Sequence, residues 1–285
     1  SLLQLEKVPN EIMDTIPGGR SLGSLAEAMA VSHTGDLASA KVLMKNNLEW
    51  AAGAAPESLG DWEYALGFSE LLSGDAVLGQ KFAADAVKHL EWRDATGLLP
   101  AAQALLAAAN CEVFGNDESE ANSGFDMIPA NAVNDPKVIM LQNWTAARNA
   151  HRSGDASEAA RTLVETGQWL LAAQHSYFAG MCAHYAVRTG FRLEEALAVL
   201  RDSFATAGGG FLSFLVRHAE ARIAEDWLEL DRIAREANEL GLTPTASDSW
   251  MTMIRHSPHN LMDTHRQQQV ERLYAEAPGL VSWVI

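Results

Sequence analysis

Blocks of apolar residues at helical spacing, broken by short polar turns, run along most of the chain. The clearest pair lies in Met140 to Gly167, MLQNWTAARNAHRSGDASEAARTLVETG. Its pattern predicts helix, tight turn, helix. Gly154 can take the left-handed conformation that ends one helix, and Asp155 can cap the free amides that open the next. Ala159, five residues after the glycine, is small enough to let the two helices cross closely.

The same turn recurs at Gly35-Asp36, Gly74-Asp75, Gly115-Asn116-Asp117 and Thr189-Gly190, and in a glycine-free form at Glu225-Asp226. Successive intervals are 39, 41, 39, 36 and 35 residues. A period in this range marks stacked helical hairpins, each too small to bury its apolar face alone. The expected fold is all-α, a right-handed superhelical solenoid of about seven tetratricopeptide-like hairpins. Within one domain, residues 1–20 form a lead-in, 21–134 repeats one to three, 135–241 repeats four to six, and 242–285 a degenerate terminal repeat.

Individual copies depart from the pattern in instructive ways. The second is expected to be capped at Asp61, with Gly79 in the small position. The second half of the third, NDESEANSGFDMIPANAVND, is polar and punctuated by glycine and proline, so an irregular segment is expected over 115–135. Asp135-Pro136 restarts the pattern as a cap followed by proline at the first helical position. Ala207-Gly208-Gly209-Gly210 has no Gly-Lys-Ser/Thr after it and reads as an inter-repeat turn, not a phosphate loop. The opening without Met and the apolar tail PGLVSWVI suggest a fragment of a longer protein.

Composition agrees with helices: 48% of the 285 residues are hydrophobic but only 7% aromatic, and alanine-rich runs such as AAQALLAAAN suit tight helix stacking. The net charge of -16 argues against a nucleic-acid surface spread over the chain. That charge is uneven, -12 over 1–142 and -4 over 143–285, and seven of the nine histidines lie in the second part. Cys111 and Cys182 match no metal or redox spacing and read as buried thiols. No apolar run is long enough to cross a bilayer and no signal peptide opens the chain, so a cytoplasmic location is expected.

The helix–Gly-Asp-x-x-x-Ala–helix pattern resembles the tetratricopeptide repeat, with mostly longer intervals. Above the repeat, YFAGMCAHYAVRTG, GGGFLSFLVRHAEARIAEDWLELDRIAREANELGL and RQQQVERLYAEAPG resemble, in order, the helical-repeat region of LuxR-type regulators of the maltose-regulator-like class, over roughly Trp144 to Gly279. The resemblance implies a sensing or protein-interaction segment. It would bind an effector or partner in a concave groove and relay to ATPase and helix-turn-helix modules. Neither an ATP loop nor a helix-turn-helix signature stands in this sequence, so it is expected neither to hydrolyse ATP nor to contact DNA itself. Two alternatives stay open: a free-standing scaffold that captures a partner peptide, and a helix-rich enzyme, which would need a deep closed pocket.

In tetratricopeptide-like hairpins the first helix of each pair lines the concave surface. Counting back from each turn places Trp144, Arg148, His151 and Arg152, then Tyr177, His184 and Arg188, then Arg222, and from the second copy Tyr64 and Phe68, on that face. Arginine forks beside aromatic rings suit an anionic small molecule or an acidic peptide. The competing reading is that these arginines pair with carboxylates of adjacent helices. Other domains of the same regulator are expected partners, a homo-oligomer is possible, and neither membrane nor nucleic acid is expected. No cofactor is expected. His256, His259, Asp263 and His265 look at first like metal ligands, but Pro258 interrupts them and no metal is assigned. Glu194-Glu195 and Glu225-Asp226 point apart on a helix, and no serine stands in a nucleophile elbow, so no catalytic residue is assigned.

Overall fold

A computed structural model of the chain describes residues 19–115, 125, 128–256, 263–276 and 283. Among them every regular element is helical. The helices are α1 (Gly19–Thr34), α2 (Leu37–Ala54), α3 (Leu59–Ser73), α4 (Ala76–Trp92), α5 (Leu99–Phe114), α6 (Pro136–Arg152), α7 (Ala156–Ala172), α8 (Ser176–Thr189), α9 (Leu193–Ala207), α10 (Gly210–Ile223), α11 (Trp227–Glu239), α12 (Thr243–His256) and α13 (Asp263–Glu276). A 3-10 turn, Pro56–Ser58, links α2 to α3. No helix among the described residues is long and apolar enough to cross a membrane.

The turns follow the local chemistry read from the sequence. Gly35, Gly74, Gly154 and Gly190 have φ of 98°, 91°, 89° and 82°, and Glu225 takes the same role at 52°. Asp36, Asp75, Asp155 and Asp226 each accept a hydrogen bond from the amide three residues on, at 2.9–3.0 Å. The chain also turns back on itself through a bond from the aspartate amide to the carbonyl five residues earlier, as in Asp155 to Ala150 at 2.9 Å, which closes the preceding helix. Asp135 caps α6 from in front of Pro136. Asp61 is not a cap: α3 begins at Leu59, and the Asp61 carboxylate instead accepts from Thr96 Oγ1 at 2.7 Å. Most of the irregular segment lies outside the described residues, and 129–135 turn without forming a helix.

Consecutive helices pack on one another, and alternate ones touch as well: α3 with α5, α6 with α8, α7 with α9, α8 with α10. Small residues set the closeness. A Cβ at Gly67 would meet the Gly79 carbonyl at 3.2 Å and the Ala83 amide at 3.1 Å, so the α3 and α4 backbones lie almost in contact. Ala40 and Ala159, the small residues after two other turns, are fully buried.

Two further contacts are not between neighbours. Helix α1 packs on α10, and α3 on α12. The glycine run before α10 makes the first one possible, because a Cβ on Gly210 would stand 2.6 Å from the Thr34 carbonyl. This run is therefore a backbone contact surface as well as a turn. The expected open groove does not survive these contacts: the inner helices face each other across a packed interior. Helix α12, part of the expected degenerate terminal repeat, is buried from Pro244 through Trp250.

Candidate functional site

The interior has a polar layer and an apolar cavity, and the ten residues expected on the inner face divide between them. In the polar layer each arginine is already held. Arg148 is completely buried and meets Glu112 of α5 at 2.9 Å, and Arg152 reaches the other oxygen of the same carboxylate at 2.9 Å while binding the Cys111 carbonyl. Burial lowers the Arg148 guanidinium from the usual arginine range, and Glu112 pulls it back. Arg188 Nε donates to Asp248 Oδ2 of α12 at 2.7 Å, and both side chains are buried. Arg222 donates to the Thr252 hydroxyl at 2.7 Å, and that hydroxyl donates to the Asp248 carbonyl. The arginines thus pair with groups on neighbouring helices.

His184 lies beside them in a buried chain of hydrogen bonds running through His218 to Ser249. Ser249 Oγ lies 2.7 Å from the Thr245 carbonyl and 3.0 Å from His218 Nε2; when its hydrogen goes to the carbonyl, His218 Nε2 donates to it. In its neutral form His218 then has only a lone pair on Nδ1, which accepts from His184 Nε2 at 2.9 Å. Burial, together with Arg188 and Arg222, holds His184 well below the usual histidine range; burial first, then His184 and the same arginines, does so for His218.

Trp283 enters this layer. Its amide donates to Asp248 Oδ1 at 3.1 Å, and its carbonyl accepts from His151 Nε2 at 2.9 Å. The Arg148 guanidinium lies 4.7 Å from its ring centroid, with the rings of His151 and Tyr185 at 5.2 and 5.8 Å. Trp144 packs on Tyr185 at 5.7 Å, and its own indole N–H is buried without a hydrogen bond.

Tyr64, Phe68 and Tyr177 meet elsewhere. They line one cavity of about 740 Å³, its mouth included, with Leu25 and Met29 of α1, Leu37 and Met44 of α2, and Phe178 of α8. Tyr177 also packs on His33 at 4.0 Å and Phe211 at 5.4 Å, so it sits where α1, α8 and α10 join. Neither the Tyr64 nor the Tyr177 hydroxyl makes a hydrogen bond among the described residues. Burial raises both phenols above the usual tyrosine range, helped at Tyr64 by Asp135, so both stay neutral donors. The one charge at the wall, Lys137, is paired with Asp135 at 2.9 Å.

Sequence reasoning missed Glu112, Asp248, His218 and Trp283. Glu112 had a visible signal, a lone carboxylate in the otherwise apolar helix LLPAAQALLAAANCEVF. Asp248 had none, because TASDSW looks like a solvated segment until its partners are known. Among the described residues no group of three or more His, Cys, Asp or Glu could hold a metal. His259 and the Asp263 side chain lie outside the described residues. Comparison with protein-family models, curated proteins and solved structures finds no match for this chain.

Proposed function

We propose that this chain is the effector-sensing segment of a LuxR-type transcriptional regulator. In this view it is a tetratricopeptide-like superhelix of about seven hairpins, working in the cytoplasm and acting on DNA-binding and ATPase modules of the same regulator. The repeated turns and the order of the motifs support the family, and the cavity around Tyr64, Phe68 and Tyr177 carries the sensing role. Its walls come from helices of the first, second and fifth pairs, with Lys137 added from α6. An occupant would therefore touch parts of the chain remote in sequence and bias the α1–α8–α10 junction, where Tyr177 meets His33 and Phe211.

The arginines would have to release Glu112 and Asp248 to take an anion, whereas the cavity is nearly free of charge. The effector we favour is consequently small, neutral and mainly apolar, with a carbonyl or ether oxygen to accept from the two phenols. The test is titration with N-phenyl-1-naphthylamine, a neutral apolar fluorophore. One site per chain is expected in the unaltered protein, weakened at least about tenfold by Met29→Trp at the mouth. Equal binding by both would remove the cavity from consideration. The regulator assignment has its own test, the gene read beyond codon 285: an open reading frame without a helix-turn-helix would refute it. The scaffold alternative is favoured by one observation, the seating of Trp283 on the inner helices.

A further inference from the structure

We propose that the niche holding Trp283 is a peptide-binding site, and that Trp283 of this same chain occupies it in cis. The ligand class is a peptide carrying one aromatic side chain. This goes beyond the sensing role and uses a different part of the interior.

Two kinds of contact point to a peptide. First, both main-chain polar groups of residue 283 are taken up by side chains, the N–H by Asp248 on α12 and the C=O by His151 on α6. Contacts of this type hold any residue's backbone and are independent of its side chain. Second, the side chain is read by its ring: the Arg148 guanidinium lies over one face, and the His151 and Tyr185 rings flank it. A guanidinium over an aromatic face favours an electron-rich ring, indole most of all. Trp283 is only 2% exposed, so the niche closes around it.

The receiving groups are fixed from behind. Asp248 is held by Arg188 at 2.7 Å, and Arg148 by Glu112 at 2.9 Å. A ligand therefore meets carboxylate and guanidinium already in place, which lowers the ordering cost of binding. His151 must carry its hydrogen on Nε2 to donate to the carbonyl, and burial together with Arg148 lowers its pKa and favours that neutral form. Beside the ring lies a small gap of about 20 Å³, walled by Leu71, Glu112, Trp144, Arg188 and Pro244.

A tethered occupant competes at an effective concentration on the order of millimolar. Weakening it in cis should therefore expose the site to a peptide in trans. The experiment titrates N-acetyl-Val-Ser-Trp-Val-amide into the full chain and into its Trp283→Ala form by calorimetry, with circular dichroism confirming that the variant is folded. One peptide per chain is expected for Trp283→Ala, with affinity at least about tenfold above that of the unaltered chain. The same peptide with alanine for tryptophan should not bind. Adding His151→Phe to Trp283→Ala should weaken binding about fivefold, the worth of one hydrogen bond. A folded Trp283→Ala chain that ignores the peptide, or equal affinity in the two proteins, overturns the proposal. Should Trp283→Ala fail to fold, Trp283→Phe carries the test: the peptide must bind it more tightly than the unaltered chain, and no difference overturns the proposal. Light scattering decides the source of the occupant. A monomer supports occupation in cis, whereas a dimer that the peptide dissociates overturns it in favour of a second copy. Met29→Trp should leave peptide binding unchanged, which separates this site from the apolar cavity.

Discussion

Replacing Arg188 by methionine separates a structural arginine from a ligand-binding one. The side chains of Arg188 and Asp248 are 4% and 0% exposed, so solvent screening does little to soften the loss of either partner. Methionine keeps most of the aliphatic stem but leaves Asp248 without the donor at 2.7 Å, and the Tyr185 ring without the guanidinium 5.0 Å from its centroid. Breaking a buried pair from one side costs about 3–5 kcal/mol, which in a chain of this length lowers the melting temperature by roughly 6–10 °C. The double replacement Arg188→Met/Asp248→Leu should cost far less than the sum of its two single changes. It leaves neither partner of this pair as an unpaired charge and forfeits mainly the acceptor of the Trp283 amide, about 1–3 kcal/mol, and the attraction of the Asp248 carboxylate for Arg222. Urea denaturation followed by helical circular dichroism measures all three. Stability of Arg188→Met within about 1 kcal/mol of the unaltered chain, or simple additivity of the two changes, would refute the structural role. A free, ligand-binding Arg188 would instead show lost binding at unchanged stability.

The histidine chain makes stability sensitive to acid. Because His184 and His218 are held below their usual values in the folded chain, the unfolded chain binds more protons as pH falls below about 6.5. Their contribution is complete above that pH and declines below it, by up to about 1.4 kcal/mol per pH unit for each histidine. Denaturation series at pH 7 and pH 5 should differ more in the unaltered chain than in His184→Gln/His218→Asn, and identical differences would refute it. Asp155→Ala should cost about 1 kcal/mol, because the cap is local and exposed; a change below a few tenths in urea denaturation would deny the cap its role.

Local chemistry made part of the molecule legible from sequence alone. The turns depend on a glycine or its substitute, an aspartate one residue on, and amides three residues further, all within one short stretch. Reading Gly154-Asp155 was therefore enough to place Gly35-Asp36, Gly74-Asp75 and Glu225-Asp226, and the register carried Tyr64, Phe68 and Tyr177 onto the inner helices. The identity of each arginine's partner was not legible in that way. Glu112 lies 36 residues from Arg148, Asp248 lies 60 from Arg188, and the Trp283 carbonyl lies 132 from His151.

The sequence by itself determined the all-helical class and the turns at Gly35, Gly74, Gly154, Gly190 and Glu225, because those follow from periodicity and from bonds spanning a few residues. Only the tertiary structure decided that α1 packs on α10 and α3 on α12, and so that the inner face is an interior and not an open groove. A helix face can be read from one segment. Whether an arginine on that face meets a ligand or a carboxylate depends on which distant helix arrives opposite it, and that is set by the packing of the whole array.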